Sequence, residues 1–161
     1  MAGLVKAHAA VLLIPILILS IVIIGLSGWA YDTWYNPNKV LRDNDVSSAL
    51  LGSALPAATL AIVAVISGAA FAMAKAESWV SAASALSTAL VAWAFGIQAF
   101  GFACKHANVG DRVPFGVSDA IFDYKLSGQL KALSGVTIVF FFFQTGYLIL
   151  LQLVVQNSQF N

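Results

Sequence analysis

The chain has 161 residues, of which 60% are hydrophobic and only 9% charged, and its formal net charge is +1. A soluble domain of this size has no core large enough to hide so much apolar surface, so the composition places the chain in a bilayer. A nearly neutral chain with no basic cluster also excludes nucleic acid as a partner.

A spanning helix needs about 20 mostly apolar residues, because the hydrocarbon layer is roughly 30 Å thick and each helical residue rises about 1.5 Å. Four segments satisfy this, at 9–31, 48–74, 79–104 and 132–155, and none contains Asp, Glu, Lys or Arg. The apolar runs are continuous rather than alternating, which predicts helices and not a barrel. The expected fold is an all-α integral membrane protein, a four-transmembrane-helix bundle in one membrane domain. Its polar loops fall at 32–47 and 105–131.

Lys6 followed by the first apolar run resembles a secretory signal, but the run is too long and ends in tryptophans where a cleavage site needs small residues. Pro15 predicts a modest kink within it. Its end, "GWAYDTWYNPN", gathers Trp29, Tyr31, Trp34 and Tyr35, the amphipathic rings of a headgroup-level belt. A ligand-stacking site is the alternative reading of the same cluster. The loop that follows carries two basic and three acidic residues between Asp32 and Val46.

The second span contains Pro56 and is separated from the third only by "KAES", residues 75–78, which predicts a tight antiparallel hairpin between spans two and three. Ala64, Gly68 and Ala72 in one helix, and Ala85, Ala89, Ala92 and Gly96 in the other, form small-residue seams. Such seams let backbones approach closely in lipid. Trp79, at the start of span three, is a further interface anchor.

Span three ends in "AFGFACKHANVG", which holds the sole cysteine. A single cysteine permits no internal disulfide and argues against a claudin-like protein. Adjacent Cys104, Lys105 and His106 fan out by about 100° per residue on a helix, so they cannot grip one ion, and no metal site is expected. No catalytic residue is assigned: the thiol suits packing or palmitoylation, while Lys105 and His106 suit headgroup anchoring and Gly110 suits a helix C-cap.

The next gap carries four basic and three acidic residues from Lys105 to Lys131. In it "SDAIFDYK", residues 118–125, has the N-cap and spacing of a short helix lying on the membrane surface, or of an ordinary loop turn. The fourth span places Gln144 near its middle, beside Thr145 and Tyr147, with Thr137 nearer its start. Together with Gln98 in span three, these groups must find partners in hydrocarbon. They read as interhelical glue, or as a polar patch for a small amphipathic ligand with Gln98, Gln144, Tyr147 and Lys105 as binding candidates. Four phenylalanines, 140–143, sweep around the helix. No cofactor is called for, and the spans offer no His or Glu to ligate a chlorophyll.

Basic residues number six on the side of loops one and three and two on the side of the termini, which by the positive-inside rule puts the termini outside, although many four-span proteins keep both in the cytosol. No phosphate loop, HExxH motif, nucleophile elbow or pair of intramembrane acids is present, so no enzyme is expected.

The runs "LLIPILILSIVIIGLSGWA" and "ISGAA", and above all "SAASALSTALVAWAFGIQAFGFACKHANVG" from Ser81 to Gly110, resemble the AWPM-like family of abscisic-acid-induced plant plasma-membrane polypeptides. "FFFFQTGYLILL" matches that family's fourth span more loosely, and "DRVPFGVSDAIFDYKLSGQLK" replaces its short arginine-rich linker. The resemblance implies a non-enzymatic plasma-membrane protein of osmotic and desiccation stress, either a carrier of abscisic acid or another small weak acid, or a stabiliser of membranes. The alternative is an accessory subunit of a larger membrane assembly. Membrane lipids, further copies of the chain, other membrane proteins and a weak-acid ligand are the expected partners.

Overall fold

The computed structural model describes residues 2–35, 45–74, 79–109 and 120–159. They form helices α1 (Ala2–Tyr35), α2 (Asp45–Met73), α3 (Trp79–Val109) and α4 (Ala120–Gln159). Ala7–Asp32, Ser48–Met73, Ser81–Ala107 and Gly128–Gln156 are long and apolar enough to cross a bilayer. Each helix satisfies its own backbone, which hydrocarbon demands of any lipid-exposed segment.

Helix direction follows from the links. The longest lies between Val109 and Ala120, and about ten residues reach at most roughly 35 Å when fully extended. Even the 29-residue α2 is longer than that, at about 43 Å, so successive helices run antiparallel. Side-chain register agrees for α3 and α4: Trp93 meets Thr145, Gly96 meets Gln144 and His106 meets Ser134. Each helix packs on its two neighbours in a closed ring of order α1, α2, α3, α4. Across the diagonals, α2 touches α4 slightly, and α1 and α3 do not meet among the described residues.

The buried faces follow a repeat of three and four. In α1 it runs Ala9, Leu13, Ile16, Ser20, Ile23, Ser27, Ala30, and in α2 Leu50, Ala54, Ala57, Ala61, Ala64, Gly68, Phe71. In α3 it runs Ala82, Ala85, Ala89, Ala92, Gly96, Ala99, Ala103, His106. In α4 it runs Leu130, Leu133, Thr137, Phe140, Gln144, Tyr147, Leu151, Val154. A 3.5-residue repeat keeps one seam facing the bundle axis, as in left-handed supercoiled bundles. Volumes are divided between the helices: α2 and α3 supply mostly alanine and glycine, while α1 and α4 supply the bulk.

The small-residue seams expected of spans two and three are buried, except for half-buried Ala72. A hydrogen bond of 2.7 Å between Ser67 and Thr88 joins the two helices. The link at 75–78 that would form the hairpin lies outside the described residues. The two glycines of the seams nevertheless face α4 side chains, Tyr147 at Gly68 and Gln144 at Gly96.

One local expectation changes. The segment read as a separate surface helix or turn, 118–125, is from Ala120 the first part of α4, which continues unbroken for 40 residues. Charges at Asp123, Lys125 and Lys131 interrupt the hydropathy, but Lys, Leu and Gln are good helix formers and no proline intervenes. Pro15 and Pro56 lie within α1 and α2. The phenylalanine run divides as a helix must, with Phe140 fully buried and Phe142 65% exposed. Phe141 stacks between Phe100 and Trp93, at centroid distances of 4.7 and 6.2 Å.

The fold depends on α3 having no bulk inside. Ala92→Leu, at a fully buried position, is expected to cost about 1–3 kcal/mol by overpacking, read as a lowered Tm in mild detergent. The same change at exposed Ala70 of α2 should leave Tm nearly unmoved.

Candidate functional site

Gln144 sits on the inner face of α4, 2% exposed, and neither Oε1 nor Nε2 has a hydrogen-bond partner. Its carbonyl oxygen packs on Gly96, where an added Cβ would lie 2.7 Å from Oε1. Tyr147, one turn further on and 3% exposed, reaches across to α2, where a Cβ at Gly68 would collide with its hydroxyl. Each glycine is therefore a notch for one bulky α4 side chain, a close approach that no other residue permits. Gln144 and Tyr147, with Leu13, Ile16, Ala64 and Ala89 among others, line a cavity of about 10 Å³, the threshold for a single water.

Further polar groups occupy the inner faces between this point and the α3 C-terminal end. Thr137, Ser134 and Ser20 donate back to carbonyls of their own helices, Leu133, Leu130 and Ile16, at 2.8, 2.9 and 2.7 Å. Such bonds use the hydroxyl hydrogen and leave oxygen lone pairs free. The Ser27 hydroxyl is buried and unpartnered. Leu12 lies beside Gly146, and this antiparallel register sets Ser20 near the level of Ile138 and Ser27 near that of Lys131. In the other direction, beyond Tyr147, the fully buried Leu151, Val154, Ala9 and Ala82 are apolar, and half-buried Ser67 and Thr88 bond to each other between α2 and α3. The core is thus polar from one end to its middle and apolar thereafter.

The sequence-derived candidates separate. Gln144 and Tyr147 come together inside the bundle. Gln98 does not join them: Gly96 and Ala99 take the buried positions, and Gln98 is exposed on the outside of α3. Lys105 is exposed as well. His106, read as a headgroup anchor, instead points inward at 5% exposure, with Nδ1 3.3 Å from the Ser134 hydroxyl. It continues the seven-residue phase of Ala85, Ala92 and Ala99, which explains its direction. Trp29 is 37% exposed and Tyr31 half-buried. The side chains of Trp34 and Trp79 lie outside the described residues. Cys104 is a half-buried free thiol. Among the described residues, no three His, Cys, Asp or Glu side chains gather as metal ligands.

Ser20 and Ser27 escape a reading of the sequence as site residues. Their signal is phase: they stand seven residues apart, as do Thr137 and Gln144, and each pair marks one inward heptad position.

These features define a four-span helical membrane protein with a line of polar side chains, among them Gln144, Thr137, Ser134 and Ser20, inside the bundle. A family model, AWPM-19-like, matches residues 14–154, and the chain belongs to that family. "Membrane protein PM19L" of Oryza sativa subsp. japonica is 33% identical over 115 residues, which cover 68% of this chain and 64% of that protein. The chain therefore aligns with slightly less than two thirds of its curated relative. No solved structure matches.

Gly68→Ala is expected to lower stability by about 1–3 kcal/mol, because the added methyl meets the Tyr147 hydroxyl. Adding Tyr147→Phe should return most of that loss. Thermal unfolding of the two single variants and the double variant measures the coupling.

Proposed function

We propose that this chain is a plasma-membrane protein of the plant response to abscisic acid and water deficit, and that it carries abscisic acid or another small weak acid across the membrane in undissociated form. The observation that carries this reading is the Gln144 amide, buried at mid-core with both polar atoms unpartnered. An undissociated carboxylic acid has an O–H donor beside a C=O acceptor. An amide presents the matching acceptor and donor, so the two groups pair through two hydrogen bonds. A carboxylate has no such match: it has lost its donor, and among the described residues no Lys or Arg takes an inner position to offset its desolvation.

The hydroxyls of Ser27, Ser134, Thr137 and Ser20 give a neutral acid polar contacts along the half of the core that leads from the α3 C-terminal end to Gln144. Leu151 and Val154 close the other half. A cavity of about 10 Å³ does not hold such a solute, so entry requires the helices to part. The alanine-lined inner faces of α2 and α3 offer a smooth wall on which α4 moves. Carriage of this kind is non-enzymatic, since no covalent bond is made or broken.

Proteoliposomes containing only this protein should take up radiolabelled abscisic acid saturably, above empty vesicles. With a carboxyl pKa near about 4, the protein-dependent rate should fall roughly tenfold for each unit of external pH above 5, following the protonated fraction. Gln144→Leu should reduce saturable uptake at least about tenfold, because leucine can form neither of two neutral hydrogen bonds that each contribute about 1 kcal/mol. Absence of saturable uptake by correctly inserted protein would overturn the carrier reading and leave the accessory-subunit alternative.

A further inference from the structure

Gln98 is the polar group that the bundle interior does not absorb. It lies within the span Ser81–Ala107 and is exposed on the outer side of α3, and no described residue of the chain hydrogen-bonds to its amide. Nine residues separate it from the end of that span at Ala107, about 14 Å along the helix, which sets it deep in a hydrocarbon layer about 30 Å thick. A glutamine side chain is too short to snorkel over that distance, as a terminal lysine does. The exposed Gln152 of α4 differs, since it lies only four residues from the end of its own span. An amide held deep in lipid without a partner is costly, and the usual remedy in membranes is a bond to another helix.

We propose that the outer face of α3 is the interface for a second copy of this chain, with the two Gln98 amides paired across a two-fold axis along the membrane normal. An amide is self-complementary: the carbonyl of each copy accepts from the N–H of the other, so two bonds satisfy both side chains with no further group. A two-fold axis sets the residue opposite itself and closes the pair reciprocally, so an identical chain is the occupant that the chemistry fits. Ala94 one turn before and Gly101 one turn after are exposed small positions beside Gln98, and the exposed apolar side chains of Val91, Phe95 and Ile97 flank them, ready to pack against the second copy. Lys105, one heptad beyond Gln98, lies at the headgroup end, where its long stem splays away from its counterpart.

The test uses the full chain in lipid vesicles with Cys104→Ser, which removes the native thiol. In that background Gly101→Cys, one turn from an intact Gln98, should give a covalent dimer on mild oxidation, and Val63→Cys on the outer face of α2 should not. Because both positions are exposed, neither change disturbs the bundle core. With native cysteine retained, single-molecule photobleaching at graded protein densities should show two copies per particle. Gln98→Leu should shift the midpoint at least about fivefold to higher density, the factor set by an ordinary interhelical polar bond, and Gln98→Asn should restore part of it. A chain that stays single at every density overturns the proposal. So does equal cross-linking from positions 101 and 63, or a Gln98→Leu variant that pairs as well as the native chain.

Discussion

The bundle is organised around the inner face of α3, where seven alanine and glycine positions at heptad spacing precede His106. In water, such a face would contribute little, because alanine buries little apolar area. In lipid the hydrophobic effect does not hold helices together, and close approach with van der Waals packing takes over. The empty width of α3, matched by the Ala54–Gly68 face of α2, is the space that α4 fills with Phe140, Gln144 and Tyr147. The interhelical bonds of Ser67 with Thr88, Trp93 with Thr145, and His106 with Ser134 each have one end on α3.

The same constraint explains why a polar group at mid-core is tolerated. Gln144 is held sterically by the Gly96 notch and Tyr147 by the Gly68 notch, so their positions do not depend on hydrogen bonds. A buried amide without a partner in the chain is a standing cost of a few kcal/mol or less, which the packing around the two notches has to offset. The buried hydroxyls lie to one side of it, from Ser27 and Ser134 down to Gln144.

Much of this architecture is legible in the sequence, because a charge-free run of more than 20 residues has few fates. The four spans and the small-residue seams of α2 and α3 need no more than composition and spacing. The extension of α4 back to Ala120 is not legible by hydropathy, since Asp123 and Lys125 mark the end of the membrane but not of the helix. Gln98 and Gln144 look equivalent as intramembrane amides, and only phase separates them. Gln144 shares the heptad position of Leu130, Thr137 and Leu151, whereas Gln98 falls between Gly96 and Ala99. His106 misleads for the same reason: adjacency to Lys105 suggests headgroups, but its seven-residue phase with Ala99 turns it inward. The mates of Gly68 and Gly96 lie more than 45 residues away on α4, and no local pattern pairs them.

The account stands on the Gln144 amide meeting an undissociated acid inside the bundle, and the amide itself can report this. Side-chain ¹⁵N–¹H NMR of the protein in lipid nanodiscs, titrated with abscisic acid at pH 5, should show the Gln144 amide resonances shift saturably. The same titration at pH 8 should leave them nearly unmoved. Gln144 signals that stay fixed at pH 5 while saturable uptake persists would contradict the account, because the solute would then cross without touching the group on which the site is built.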